Sequence, residues 1–301
     1  MLTNQLFVEK YRPTKVDDYI CDDEMKKMIQ SFIDKPFDMP HLLCVSSPGT
    51  GKTTLAKLIV KNTGADYLYL NASDERGIGV IRDKVKEFVS TRGFNSDSPK
   101  IVHLDEADGL TNDAQNVLRN LMEEYSFNCR FILTANNYNK IIEPIRSRCE
   151  ELIFTNPPKE VIVERIVNIS RGEEIEISDK DINKIVDVFY PDIRSMVKTL
   201  DSYAKFGVLD LETQGSIAKE IYKLIKQKKI TKAREYWLGK KINYDSALKS
   251  IYTEIWEDET IEKGKKKNIV YAIADSDFAM TMGAEPEIQF TSCIFKIMEA
   301  L

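Results

Sequence analysis

Up to about residue 155 the chain alternates short apolar runs with stretches of helical period. His41–Ser46, Asp66–Asn71, Ile101–Asp105, Phe131–Ala135 and Leu152–Phe154 are the apolar runs, and each predicts a strand. They are short and largely apolar, as parallel strands buried on both faces are. Between them, Thr53–Asn62, Val80–Ser90 and Asp113–Tyr125 predict helices. Strands separated by helices predict an α/β domain with a parallel sheet and crossover helices.

The pattern changes after Pro157-Pro158. Glu160–Ser170, Asp179–Phe189 and Asp192–Phe206 predict three amphipathic helices. A double proline stops extended structure and suits a helix start just beyond it. A second helical region follows Gly207, with Ile217, Ile221, Leu224 and Ile225 at helical spacing. Lysines are dense between Lys223 and Lys241 and read as its solvated surface, and Gly264–Lys267 reads as a short charged loop. The expected division is 1–156, 157–207 and 208–301, with no internal repeat.

Composition narrows the class. With 301 residues, 43% hydrophobic and 30% charged, the chain can bury a core and stay soluble, which excludes a disordered chain, a collagen-like fibre or a disulfide-stapled miniprotein. No apolar run approaches the roughly 18 residues that a membrane span needs. Met1–Lys10 lacks a basic segment followed by an apolar core, so no signal peptide is expected. Cys21, Cys44, Cys129, Cys149 and Cys293 are scattered, there is no Cys-x-x-Cys, and His occurs 2 times, so free thiols in a reducing cytosol are expected rather than a zinc site. A net charge of −5 excludes a dedicated nucleic-acid coat but not a local basic surface.

Ser46-Ser47-Pro48-Gly49-Thr50-Gly51-Lys52-Thr53, followed by Thr54, lies between a predicted strand and a predicted helix. That is the setting of a phosphate loop. Its glycines let backbone amides turn toward phosphate oxygens, and the helix presents its positive end to the same anion. Lys52 would reach the β- and γ-phosphates of ATP, and the Thr53 hydroxyl would ligate Mg2+. Ser46 stands where the motif usually begins with Gly or Ala. About fifty residues on, Lys100–Asp108 is an apolar strand ending in carboxylates. Asp105 at its end is placed to hold the metal, and Glu106 to polarise a water for attack on the γ-phosphate. The letters Asp-Glu-Ala-Asp at 105–108 also occur in DEAD-box helicases. Those need a second nucleotide-binding-like domain, which the helical residues 158–301 do not offer.

Several segments together resemble one family, the small ATPase subunits of AAA+ sliding-clamp loaders, replication factor C small subunits included. They are Glu9-Lys10-Tyr11-Arg12-Pro13, the phosphate loop, Asn71-Ala72-Ser73-Asp74-Glu75-Arg76-Gly77-Ile78, the box at 105–108, Leu133-Thr134-Ala135-Asn136, Ile141–Cys149 with its Ser147-Arg148-Cys149, and Pro191-Asp192-Ile193-Arg194. The likeness spans residue 7 to about 210. Within the family, Leu200-Asp201-Ser202-Tyr203, Gly207-Val208-Leu209-Asp210 and a short C-terminal region look most like the T-even-type bacteriophage branch.

The resemblance implies an AAA+ P-loop domain with a five-stranded parallel sheet, a small helical lid and an all-α collar that assembles subunits into a pentameric ring. It implies ATP and Mg2+ at subunit boundaries, with Arg148 acting in trans on the neighbour's γ-phosphate. Asn136, rather than the adjacent Asn137, would position water or sense that phosphate. Arg194 would reach the phosphates from the lid, and its place near a helix N-terminus disfavours a cation without an anion. Val8, Lys10, Tyr11, Arg12 and Pro13 would line the adenine pocket. Arg82 and Lys86, four apart on one helical face, would contact DNA phosphates, with Ile81, Val85 and Phe88 on the buried face and Lys84 off the Arg82 face. Arg76 would act as a switch on Glu106 or contact DNA. The implied partners are a sliding clamp, primer–template DNA, further copies of this chain and a distinct large subunit, with no membrane and a cytoplasmic setting. A non-hydrolysing scaffold subunit and a related AAA+ motor on DNA share most of these motifs.

Overall fold

The computed structural model describes residues 5–74, 77–93, 95, 97–209, 211, 214–240 and 244–301. Of residues 80, 153, 214, 245, 246 and 281 only the backbone is described. The chain divides into two compact units, Met1–Asp210 and Leu211–Leu301.

The first unit runs α1 (Phe7–Lys10), α2 (Asp23–Asp34), β1 (His41–Val45), α3 (Lys52–Thr63), β2 (Tyr67–Asn71) and α4 (Ile78–Val80). A π-helical turn, Ile81–Val85, leads into α5 (Lys86–Ser90). Then come β3 (Lys100–Asp105), α6 (Asn112–Glu124), β4 (Cys129–Ala135), α7 (Glu143–Arg146) and β5 (Cys149–Ile153). Three helices end the unit: α8 (Lys159–Gly172), α9 (Asp179–Phe189) and α10 (Ile193–Phe206).

The five strands form one parallel sheet in the order β2-β3-β4-β1-β5. This is the expected α/β architecture. Leu42, Cys44, Ile101 and Ile132 pack against Leu55 and Ile59 of α3 on one face. Leu43, Val102, Leu104 and Leu133 meet Ile81, Val85, Leu118 and Met122 on the other. Each fully buried aliphatic side chain contributes about 1.5–3 kcal/mol of hydrophobic stabilisation. Side-chain caps fix several helix starts. Asp22 accepts from Met25 N–H, Thr111 from Ala114 N–H, Ser178 from Asp181 N–H and Asp192 from Ser195 N–H.

Two details of this unit differ from the sequence expectation. The helix expected across Val80–Ser90 is interrupted by the π turn at Ile81–Val85, which keeps Ile81 and Val85 both fully buried. β5 begins at Cys149, three residues before the apolar run, because this edge strand carries the exposed, charged Glu150 and Glu151.

The second unit has α11 (Gln214–Lys226), α12 (Ile230–Lys240), α13 (Tyr244–Glu257), α14 (Lys263–Thr281) and α15 (Pro286–Ala300). Its core joins Ile221, Trp237, Ile251, Phe290 and Ile294, with Trp237 stacked on Phe290 at a centroid distance of 4.1 Å. Lys223, Lys226, Lys228, Lys229 and Lys232 are exposed, as the lysine-rich stretch predicts. The loop expected at Gly264–Lys267 is instead the first turn of α14. A run of lysines signals solvent exposure, and a helix can supply that as readily as a loop. Lys265 and Lys266 are tied to backbone carbonyls of Leu301 and Trp256, each at 2.6 Å.

Candidate nucleotide site

β1 ends at Val45, and the chain turns through Ser46–Gly51 into α3. Gly49 and Gly51 have φ of +79° and +108°, the left-handed region that a side chain disfavours. Space for one is short as well. A Cβ on Gly49 would lie 1.8 Å from the Asp192 carboxylate, and one on Gly51 would lie 3.0 Å from the Tyr19 hydroxyl. Ser46, the departure from the motif, shares a hydrogen bond between its hydroxyl and that of Thr50, closing the loop. The Lys52 ammonium donates to the carbonyls of Ser46 and Ser47 at 2.7 and 2.9 Å. Burial pulls its pKa below the ordinary lysine value, against the opposing charge of Asp105.

Thr53, at the start of α3, donates its hydroxyl to both oxygens of Asp105 at 3.0 and 3.1 Å. Asp105 ends β3 and also accepts from the Thr134 hydroxyl and, at 3.1 Å, from Tyr69. Burial would raise this carboxyl, but the hydrogen bonds from Thr134, Thr53 and Tyr69 outweigh it and hold the group below the usual carboxylate range. A hydroxyl and a carboxylate meeting in this way form a hard oxygen donor pair. That suits Mg2+, which takes few protein ligands and completes its shell with phosphate oxygens and water. The residues therefore fit the metal that the motif implies.

Glu106 follows with φ 55° and ψ 42°, a left-handed conformation rarely taken by a residue with a side chain. Its N–H donates to the Thr134 hydroxyl at 3.2 Å, and its carboxylate accepts from the Ser73 hydroxyl. Asn136 and Asn137 both donate backbone N–H groups to the Asp108 carboxylate, at 3.3 and 3.2 Å. They then part. Asn136 lines the pocket, whereas Asn137 caps the following turn through Asn139 N–H.

A pocket extends from the loop under the N-terminal segment. Val8, Tyr11, Arg12 and Pro13 line it together with Pro48–Thr54, Asp105, Glu106 and Arg194. Lys10 and Ser47 are not among its lining residues. The Lys10 ammonium pairs with Glu173 at 2.5 Å, and the Ser47 carbonyl accepts from Lys52 and Thr50. Tyr11 donates to Glu173 as well, and burial with this bond pushes its phenol up to about 12. Arg12 donates to the Thr54 hydroxyl at 3.3 Å.

The pocket also has walls that the sequence motifs do not mark. Tyr19 and Ile20 lie on the side of the N-terminal segment, and Arg165 and Ile169 of α8 and Val197 of α10 lie on the side of the helical segment. Arg165 donates to the Tyr11 carbonyl at 2.8 Å. Thr134 belongs to the segment Leu133–Asn136 singled out in the sequence, but there only Asn136 is given a role.

Arg148 stands apart from this pocket. It precedes β5, donates to the Pro144 carbonyl at 2.6 Å and pairs with Glu123. Register sets Cys149 beside His41, the first residue of β1, while Lys52 follows the last. A strand of that length separates the two ends by about 15 Å. Arg82 and Lys86 are exposed over the buried Ile81 and Val85, Phe88 is half-buried, and Lys84 is exposed too. Arg76 lies outside the described residues.

The family described as ATPase family associated with various cellular activities (AAA) matches residues 42–157. The family described as sliding-clamp-loader large subunit, AAA+ ATPase lid domain, matches residues 156–213. The replication factor C small subunit of Saccharolobus solfataricus is 38% identical, over 97% of this chain and 94% of that protein. That of Methanococcus vannielii is 36% identical, over 97% of this chain and 98% of that protein. A solved structure of the Thermotoga maritima RuvB Holliday junction branch migration motor superposes with TM-score 0.55 at 18% identity, covering 93% of this chain and 87% of that one. At that identity the likeness concerns the fold alone.

Proposed function

This chain belongs to the family of replication factor C small subunits, ATP-hydrolysing clamp-loader subunits of DNA replication, and on that premise we propose how its site does the work. ATP binding assembles a ring of subunits that opens a sliding clamp and grips primer–template DNA, and hydrolysis releases both. The observation that carries this reading is the convergence of Lys52, Thr53, Asp105, Glu106 and Asn136 at one end of the sheet, in a pocket that Arg194 also lines.

The residues divide the labour. Lys52 neutralises the β- and γ-phosphates. Thr53 and Asp105 hold Mg2+, which supplies charge neutralisation at the phosphates when bound. Glu106 accepts the proton of the attacking water, and Asn136 orients that water. Val8, Tyr11, Arg12 and Pro13 hold the base. Arg194, on the first turn of α10, binds the phosphates from the lid, where an anion relieves its unfavourable place at a helix N-terminus. Arg148, at the opposite end of the sheet, serves the neighbouring subunit and stabilises the charge of its transition state.

Residues 157–207 act as the lid and 208–301 as the collar that binds further copies and a distinct large subunit in a pentamer. Arg82 and Lys86 contact the DNA backbone, a charge-based contact that reads no sequence. A phage source of the T-even type rests on Leu200–Tyr203 and Gly207–Asp210, beside full-length relatives that are archaeal. No helix among the described residues is long and apolar enough to cross a membrane, and the proposed setting is the cytoplasm.

The test is steady-state ATPase of the assembled complex with and without primer–template DNA and clamp. Joint stimulation, absent with single-stranded DNA alone, is the expected result. Duplex unwinding without any clamp would mean a motor instead. Flat turnover despite bound ATP, clamp and DNA would remove the hydrolytic loader. Arg82→Ala with Lys86→Ala should weaken DNA binding uniformly across sequences and lower its salt dependence by about 2 in slope.

A further inference from the structure

Four polar side chains share one face of the sheet, the face covered by α3. Tyr67 is in register with Ile101 and Tyr69 with His103, so the two tyrosines project to the same side as His103 and Asp105. Each tyrosine reaches one step further along β3. The Tyr67 hydroxyl meets His103 Nδ1 at 2.8 Å, and the Tyr69 hydroxyl donates to Asp105 Oδ2 at 3.1 Å. The Tyr69 and His103 rings touch edge to face at 5.3 Å, and the Lys57 ammonium of α3 lies 5.8 Å from the Tyr69 ring.

His103 is out of place by burial alone. Its relative exposure is 0%, and its Nε2 has no hydrogen-bond partner among the described residues. An aliphatic side chain would fill the same space without leaving a polar atom unbonded. That nitrogen lies 3.8 Å from Asp105 Oδ1. A Tyr67 hydroxyl that donates to Nδ1 leaves the proton of the neutral ring on Nε2, the nitrogen 3.8 Å from Asp105 Oδ1.

We propose that Tyr69 and His103 are positioning residues for Asp105, with Tyr67 setting the His103 tautomer. Tyr69 restrains Oδ2 and the Nε2 proton of His103 faces Oδ1, so the carboxylate keeps its open side toward Thr53 and the cation. The inference rests on Asp105 being a metal ligand. Outer partners of this kind set how tightly a metal is held, and losing one typically costs about 10-fold or more in affinity.

The experiment uses the full chain with ADP and Mn2+ as the probe, with bound metal counted by electron paramagnetic resonance. ADP affinity is also measured in chelator, and thermal melting reports folding. Tyr69→Phe keeps the ring and sits on an exposed sheet edge. It should weaken Mn2+ binding about 10-fold with metal-free ADP affinity unchanged. His103→Leu should do likewise, and His103→Gln, which restores an N–H donor, should recover most of the loss. Mn2+ affinity within about 2-fold of the parent in Tyr69→Phe and His103→Leu, while Asp105→Ala abolishes it, would overturn the proposal; the ordinary effect of losing such a partner is far larger. A parallel loss of metal-free ADP affinity would also overturn it, as a structural effect. Unchanged Mn2+ binding in Asp105→Ala would instead sink the assignment of Asp105 as a ligand, and the proposal with it.

Discussion

Ser73 and Glu106 are joined across the end of the sheet. The Ser73 hydroxyl, just past β2, donates to the Glu106 carboxylate, just past β3. A carboxylate engaged in this way is restrained in place and must break the bond before it can take up a water's proton. Ser73→Ala should therefore raise ATP turnover without DNA, by about 5-fold if the bond is worth roughly 1 kcal/mol. Glu106→Gln should lower kcat by at least about 100-fold, the usual worth of a general base. Its ATP affinity should stay near that of the parent, because in the proposed role the residue acts on water rather than on phosphate. Steady-state kinetics with fluorescent nucleotide binding on the same preparations checks both. A fall in basal turnover for Ser73→Ala would show that the bond supports catalysis instead of restraining it.

Arg148 is held by a carbonyl and by one carboxylate, Glu123, on the surface. Their side chains are 34% and 51% exposed. An ion pair that exposed contributes at most about 1 kcal/mol, so under the proposed trans role a neighbour's γ-phosphate would compete for the guanidinium at small cost. Arg148→Ala should leave ATP binding intact and cut turnover of the assembled ring by about 1000-fold. Mixing Arg148→Ala subunits with Lys52→Ala subunits should restore part of the activity, because some boundaries then pair an intact Lys52 with an intact Arg148. Loss of ATP binding in a folded Arg148→Ala chain would contradict the trans role.

Much of the nucleotide site was legible because its chemistry sits in contiguous runs. Ser46–Thr53 and Lys100–Asp108 carry their residue types in order, and each follows an apolar strand. The contacts of Glu173, Arg165 and Thr134 were not legible, for a common reason. These residues meet Lys10, Tyr11 and Asp105 through strand register or through helices more than a hundred residues away, and no local pattern encodes such a meeting. The pairing of Lys10 with Glu173 was not legible either, because its neighbours Val8 and Tyr11 line the pocket while its own long side chain turns to a residue far along the chain. The π turn in 81–85 escaped because periodicity shows which residues are buried, and Ile81 and Val85 are buried whether the turn holds 3.6 residues or slightly more. Gly264–Lys267 failed because charge reports exposure and not backbone shape.

His41 gives the fold an acid limit. Its Nδ1 accepts from Phe131 N–H at 3.1 Å, and its Nε2 lies 3.3 Å from the Met122 carbonyl. Only the neutral ring can satisfy both. Burial pulls its pKa down to about 4. The unfolded ring, near 6.5, takes a proton that the folded ring refuses until about pH 4. The unfolded state thus binds more protons across that window. Stability is full above about pH 6.5 and falls as pH drops toward 4, by roughly 2–3 kcal/mol from this residue. Denaturant unfolding at pH 7 and pH 5 should show the loss. His41→Asn, whose carbonyl oxygen can replace Nδ1 as acceptor, should make the pH dependence shallower by this residue's share, leaving the like contribution of the buried His103, whose pKa burial also pulls down to about 4. An equally steep dependence in the variant would assign the loss to other groups.

Phe290 separates the two units experimentally. It is fully buried at the centre of the C-terminal unit, stacked on Trp237 at 4.1 Å and edge-on to Tyr244 at 6.4 Å. Removing a buried aromatic leaves a cavity its neighbours fill only in part, at a cost of about 3–5 kcal/mol. The five helices of Leu211–Leu301 have a core of their own, so the damage should stay there. Phe290→Ala should lower the melting of that unit and reduce ring assembly. Nucleotide affinity should not change, because among the described residues none that lines the pocket lies beyond Val197. Differential scanning calorimetry with and without ATP resolves the two. The ATP-stabilised transition should hold its position while the other moves down. A loss of ATP affinity as large as the loss of assembly would show that the two units do not fold independently, and that collar defects cannot be read as assembly defects alone.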